Sequence, residues 1–239
     1  MIESVFAILA GYLLGSFPSA FIAARFFKKR DIRELGGGNM GTLNTMREIG
    51  FVPGMLVLLF DVFKGVATVL LAGWLGVHIV VTFAAGLAAI VGHNYPAYLN
   101  FRGGRGGAVA LGVLAALVPP GAVAVNFGIM LAVVFLTSNM RLALSVGFIA
   151  LPLLTWAFGG ETAVALYALG VALLLGIRLI ISDRHLILDP RVRKNLIFDH
   201  DFTPWQTRRR KNSADGQPGK IRKSTKEEEE ETCTTPNKT

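Results

Sequence analysis

Between residues 51 and 180 the chain carries only seven charged side chains: Asp61, Lys64, Arg102, Arg105, Arg141, Glu161 and Arg178. A membrane-crossing helix needs about 20 mainly apolar residues, and a charge at the bilayer centre costs about 2.5–3.5 kcal/mol on insertion scales. So long a stretch with so little charge reads as several spans packed together. Hydrophobic residues make up 52% of the chain and charged ones 17%, which excludes a disordered chain and an ordinary water-soluble domain. The single cysteine, Cys233, lies in a polar tail and excludes an internal disulfide or a CxxC metal site. The expected fold class is all-α: a polytopic membrane protein of about seven transmembrane helices.

The net charge of +8 is unevenly placed. Six basic residues against three acids lie between Arg25 and Gly50, and thirteen against ten between Ser182 and Thr239. Both segments flank apolar runs, the pattern of cytoplasmic loops, and anionic lipid headgroups are their natural counter-charge. No base-reading pattern accompanies the charge, so nucleic acid is not an expected partner. The first apolar run has Glu3 before it and its cations after it, the reverse of a cleavable signal, which predicts an uncleaved first span with the N-terminus outside.

The spans are predicted at about 4–24 with a kink at Pro18, 51–72, 78–92, from Ala108 to an outer turn at Pro119 to Gly121, then to Leu136, to Gly159, and to Ile181. An odd number of spans puts the C-terminus inside. Residues 1–198 are expected to form the membrane domain. Residues 199–239, with RRRK at 208–211 and an acidic block at 227–231, are expected to be a disordered cytoplasmic tail, because such a composition cannot bury enough apolar area to offset chain entropy.

Three clusters on the inner side can carry chemistry. In residues 34–50, Gly36, Gly37, Gly38 and Gly41 with Asn39 and Asn44 let the backbone turn tightly and aim N–H groups at an anion. Arg47 adds a planar fork for a phosphate, although a plain glycine turn between helices has the same appearance. In residues 92–108, Gly103, Gly104, Arg105 and Gly106 precede a helix, combining bare backbone, a cation and a helix N-terminus. The GK[ST] ending of a nucleotide P-loop is absent, so no nucleotide is implied. His93, just before this run, and Arg105 within it are possible catalytic residues, His93 having by position also the reading of a capping or interfacial histidine, and Tyr95, Tyr98 and Phe101 suit the headgroup level. Within the second span, Asp61 and Lys64 are three residues apart, on one helical face, and can pair. They are expected to support a site or to form a structural ion pair.

No nucleophile stands with a histidine and a carboxylate at a recognisable spacing, and no metal or cofactor is called for. Two anion-binding loops at a membrane surface favour a phosphorylated substrate. A non-catalytic binder of phosphorylated lipid precursors and a small transporter for an anionic metabolite remain alternatives.

The segments GSFPSAF (15–21), GGGNMGTLNTMREIG (36–50), LLFDVFKG (58–65) and GHNYPAYLNFRGGRGGA (92–108) together resemble the bacterial acyl-phosphate:glycerol-3-phosphate acyltransferases, integral membrane enzymes of phospholipid synthesis. The resemblance implies acyl transfer from acyl phosphate to the 1-hydroxyl of sn-glycerol 3-phosphate, giving lysophosphatidate. It implies these two substrates and membrane lipids as partners, no cofactor, and a cytoplasm-facing site. Two positions differ from the family's usual pattern: Gly37 stands where it has serine, and Arg105 where it has lysine. After the last span, His185 is the one match to the family's final motif.

Overall fold

The computed structural model describes residues 1–188, with side-chain surroundings through residue 181. The expected boundary at residue 198, the tail and the surroundings of His185 lie outside them. Nine α-helices follow in order among these residues: α1 Ile2–Ser16, α2 Ser19–Lys28, α3 Thr42–Glu48, α4 Phe51–Trp74, α5 Ile79–Asn94, α6 Gly107–Leu117, α7 Pro120–Thr137, α8 Met140–Ala157 and α9 Thr162–Leu188.

The predicted first span is α1 and α2 together, broken at Pro18. Proline supplies no N–H, and it drives Phe17 to an extended conformation, φ −55° and ψ 122°, which ends α1. The break leaves carbonyls inside the protein that another group has to satisfy. Among the described residues, six helical segments are long and apolar enough to cross a membrane. The predicted fourth span is α6, which has only 11 residues. At 1.5 Å per residue it reaches about half of a hydrocarbon core of roughly 30 Å.

Small residues let the inner helices approach closely. A Cβ at Gly15 of α1 would enter the Ala89 backbone of α5, and one at Gly112 of α6 would enter the Val62 backbone of α4. Lipid offers no apolar driving force between helices, so backbone approach of this kind is the main source of packing energy. Around these contacts the core gathers Ile90, Val109, Val113, Leu114, Phe148, Leu151 and Val171. Phe83 of α5 stacks on Tyr167 of α9 at 4.4 Å, and the Tyr167 hydroxyl donates to the Phe83 carbonyl at 3.1 Å. The outer faces carry Phe6, Leu59, Phe63, Trp74, Phe127, Phe135 and Trp156, all exposed. Such a surface suits lipid and is unsuited to water.

Candidate functional site

Asp61, 1% exposed, is the centre of the polar interior. Its Oδ1 lies 2.8 Å from Lys64 Nζ, the pairing expected of two residues three apart on one helix. The same oxygen accepts from Ser19 Oγ at 2.6 Å and lies 3.8 Å from His93 Nδ1. Lys64 Nζ also donates to the Gly15 and Phe17 carbonyls, at 3.2 and 2.8 Å. The lysine thus holds the α1–α2 break and the aspartate at once. A carboxylate and an ammonium out of water are tolerated only when paired and hydrogen-bonded in this way.

His93 falls in the last turn of α5 and is buried, so it is not an interfacial histidine. The GGRGG loop passes directly over it. The Gly104 N–H donates to the His93 carbonyl at 3.0 Å, and a Cβ at Gly104 would strike His93 Nε2 while standing 3.0 Å from the Met40 carbonyl. Gly103 lies against the His93 and Asn94 carbonyls. Gly106, at φ +80°, turns the chain into α6 beside the Asn94 side chain, a conformation that glycine adopts without strain. Arg105, half-buried, stands between these glycines at the helix N-terminus.

The first glycine loop reaches the same place through Met40. Its interior differs from the expected open nest. Asn44 is buried and spends its amide inside the loop: Oδ1 accepts from the Gly37 N–H at 3.3 Å, and Nδ2 donates to the Leu35 carbonyl at 3.1 Å. The Gly38 N–H donates to the Leu35 carbonyl at 3.0 Å. Asn44 is therefore the brace of the loop, and two of its amides are turned inward. Gly36 and Gly37 are exposed, Gly38 and Asn39 half-buried, and Asn39 Nδ2 folds back beside Gly41 at the start of α3. Residues 42–48, expected as loop, form α3, which presents Arg47 at the surface. Outside the spans, Arg33 grips Asp31 with Nη2–Oδ2 2.7 Å and holds its carboxyl below the ordinary aspartate range.

The three predicted clusters meet here: Asp61 with Lys64, His93 with Gly103 to Gly106, and the loop 36–41 through Met40. Sequence reasoning missed Ser19 and the carbonyls of the α1–α2 break. Their signal was the segment GSFPSAF, read for its proline kink and for the family resemblance but not for a polar role of its serines. A small cleft opens at this meeting point, lined by Ser16, Pro18, Ser19, Met40, His93 and Gly104.

A family model described as Glycerol-3-phosphate acyltransferase matches residues 5–187. Glycerol-3-phosphate acyltransferase 1 of Dehalococcoides mccartyi is 38% identical over 202 residues, covering 81% of this chain and 96% of that protein. The glycerol-3-phosphate acyltransferase of Shouchella clausii is 49% identical over 138 residues, 56% of this chain and 67% of that protein. In three dimensions the chain resembles PlsY (YgiH), an integral membrane glycerol 3-phosphate acyltransferase, in its glycerol 3-phosphate form. The TM-score is 0.69 at 31% identity, over 77% of this chain and 92% of that one. The lysophosphatidic acid form of PlsY gives a TM-score of 0.68 at 30% identity.

Proposed function

The chain belongs to the glycerol-3-phosphate acyltransferase family, and from that premise we propose that it acylates the 1-hydroxyl of sn-glycerol 3-phosphate with acyl phosphate as donor. The observation that carries the reading is the meeting of both glycine loops, through Met40 and Gly104, over His93. Two phosphate-bearing substrates need two binding loops whose distance is held constant, and the approach of these loops supports that reading.

In this reading Arg105 and the α6 N-terminus hold one phosphate, through a charge-assisted fork and the free first-turn N–H groups. Arg47 holds the other. The glycerol hydroxyl attacks the acyl carbonyl, the new carbon–oxygen ester bond forms, and the bond from that carbon to the phosphate oxygen breaks. Inorganic phosphate leaves, and the hydroxyl proton passes to a substrate phosphate. Acyl phosphate is already activated, so placing the reactants and stabilising the developing oxyanion are the main tasks. The acyl chain lies against the apolar outer helices. The site faces the cytoplasm, the side to which the basic residues Arg25, Lys28, Lys29 and Arg30 point by the positive-inside rule.

The test is purified protein in detergent with palmitoyl phosphate or palmitoyl-CoA, each with glycerol 3-phosphate. Lysophosphatidate is expected from the phosphate donor alone. Arg47→Ala and Arg105→Ala should each lose at least about 2 kcal/mol of transition-state binding, roughly 30-fold in kcat/KM. A folded protein that forms no lysophosphatidate from either donor overturns the reading.

A further inference from the structure

Beneath the two glycine loops, side chains from α2, α4 and α5 stack into a polar column, hydrogen-bonded from Lys64 through Asp61 to Ser19 and closed above by His93 at van der Waals distance. At its base Lys64 Nζ binds the Gly15 and Phe17 carbonyls of the α1–α2 break. Above it, Asp61 Oδ1 receives Lys64 at 2.8 Å and Ser19 Oγ at 2.6 Å. His93 Nδ1 stands 3.8 Å from the same oxygen, and at the top His93 Nε2 fills the space where a Gly104 side chain would be, next to the Met40 carbonyl. All four polar residues are buried. Neither the binding of the phosphates nor the acyl transfer uses any of them directly.

We propose that Ser19, Asp61 and His93 are positioning residues for acyl transfer. Ser19 and Lys64 fix the Asp61 carboxylate, Asp61 stands behind the His93 ring and limits its retreat, and the ring supports Gly104 against Met40. The column thereby sets the separation of the two loops, and with it the separation of the hydroxyl and the acyl carbonyl. Stability alone does not account for it. A buried ion pair is often matched or bettered by apolar residues of the same volume, and the surrounding core is already built from small apolar contacts. A polar column earns its place where an exact height matters.

The inference rests on the acyltransferase reading and has a kinetic signature of its own. Each loop binds its phosphate with its own cation, so KM for either substrate should hardly depend on the column. Reaction needs both loops in register, so kcat should depend on it strongly.

The experiment uses the full chain in detergent and follows lysophosphatidate from palmitoyl phosphate and glycerol 3-phosphate. Wild type is measured first: no product overturns the functional reading, whereas an active wild type isolates the inference. Ser19→Ala removes the hydrogen bond to Asp61 and is expected to lower kcat by about tenfold to a hundredfold. Both KM values should stay within about twofold of wild type. Ser19→Thr restores the hydroxyl and should recover most of the loss, a rescue that mere space-filling would not produce. An unchanged kcat in Ser19→Ala, a loss confined to KM, or a threonine variant as poor as the alanine one overturns the proposal. Should Ser19→Ala fail to fold, His93→Gln carries the same split. A kcat loss at constant KM supports the column, and an unchanged kcat or a matching rise in KM overturns it.

Discussion

Replacing Gly104 by alanine adds one methyl group at the point where three elements meet. Gly104 does not lie in the left-handed region, so its backbone is one that alanine adopts, and the effect is one of space alone. The new Cβ would strike His93 Nε2 and stand 2.9 Å from His93 Cδ2 and 3.0 Å from the Met40 carbonyl. The imidazole has little room to retreat, being buried with Asp61 behind it. The Met40 oxygen belongs to a backbone braced by Asn44 and α3. The loop itself must therefore lift, by about 1 Å to reach ordinary carbon contact distances. A displacement of that size at a positioning element costs about 100-fold in rate, or about 2.7 kcal/mol of transition-state stabilisation. The assay is kcat/KM for lysophosphatidate formation, with thermal unfolding in detergent as the check on folding. Gly128→Ala, on the exposed face of α7, is the control: its Cβ would meet nothing within 4 Å. That variant should keep full activity and gain about 0.4–1 kcal/mol from the lower entropy of its unfolded chain. Wild-type kinetics in Gly104→Ala, or equal damage in Gly128→Ala, would refute the steric reasoning.

Gly37 is exposed, outside the left-handed region and without a neighbour within 4 Å of a Cβ. Gly37→Ser should thus fold normally and raise kcat/KM by up to about tenfold if the hydroxyl reaches a bound phosphate; a tenfold fall in folded protein would contradict the open placement. Lys64→Met leaves the Asp61 carboxylate buried without its cation and should destabilise the protein by about 3–5 kcal/mol. Adding Asp61→Asn should return part of that loss, both read as unfolding midpoints, and an unchanged midpoint in the single variant counts against the ion pair. The Asp31 carboxyl is held below its ordinary range by its hydrogen bonds to Arg33. Its contribution to stability is therefore complete above the unfolded aspartate value of about 3.9 and is lost as pH falls through the lower folded value. Arg33→Ala should lower stability near neutral pH and converge with wild type in acid; a constant difference at every pH would show that the pair does not act through charge.

Much of the architecture was legible from local properties. Hydropathy marked each apolar helix to within a few residues, and Pro18 marked the break, because a span's preference for lipid and a proline's missing N–H belong to the segment itself. The pairing of Asp61 with Lys64 was legible for the same reason, since residues three apart on a helix share a face. The bounds of α6 were legible too, since the run from Ala108 to Pro119 leaves a helix of the observed 11 residues. What was not legible is the pinning of the GGRGG loop at its start to His93, a contact made by a different helix. The role of Asn44 was hidden in the same way. An asparagine in a glycine loop reads as a ligand contact until the fold shows its amide turned onto the carbonyls of Ile32 and Leu35.

The sequence by itself determined that the chain lives in a membrane, where its apolar helices lie, which residue types were at hand for phosphate, and the family those motifs resemble. Tertiary structure alone decided that Ser19, Asp61, His93, Gly104 and Met40 share one point. Ser19 and Asp61 are 42 residues apart in the chain and 2.6 Å apart in space. No local rule specifies that approach, because it depends on which glycine faces which backbone when helices close on one another. In a bilayer, where all the outer surfaces are equally apolar, helix register is chosen by such close contacts and by the pairing of buried polar groups. The same packing that lets Gly15 meet Ala89 and Gly112 meet Val62 brings the polar column under the two loops.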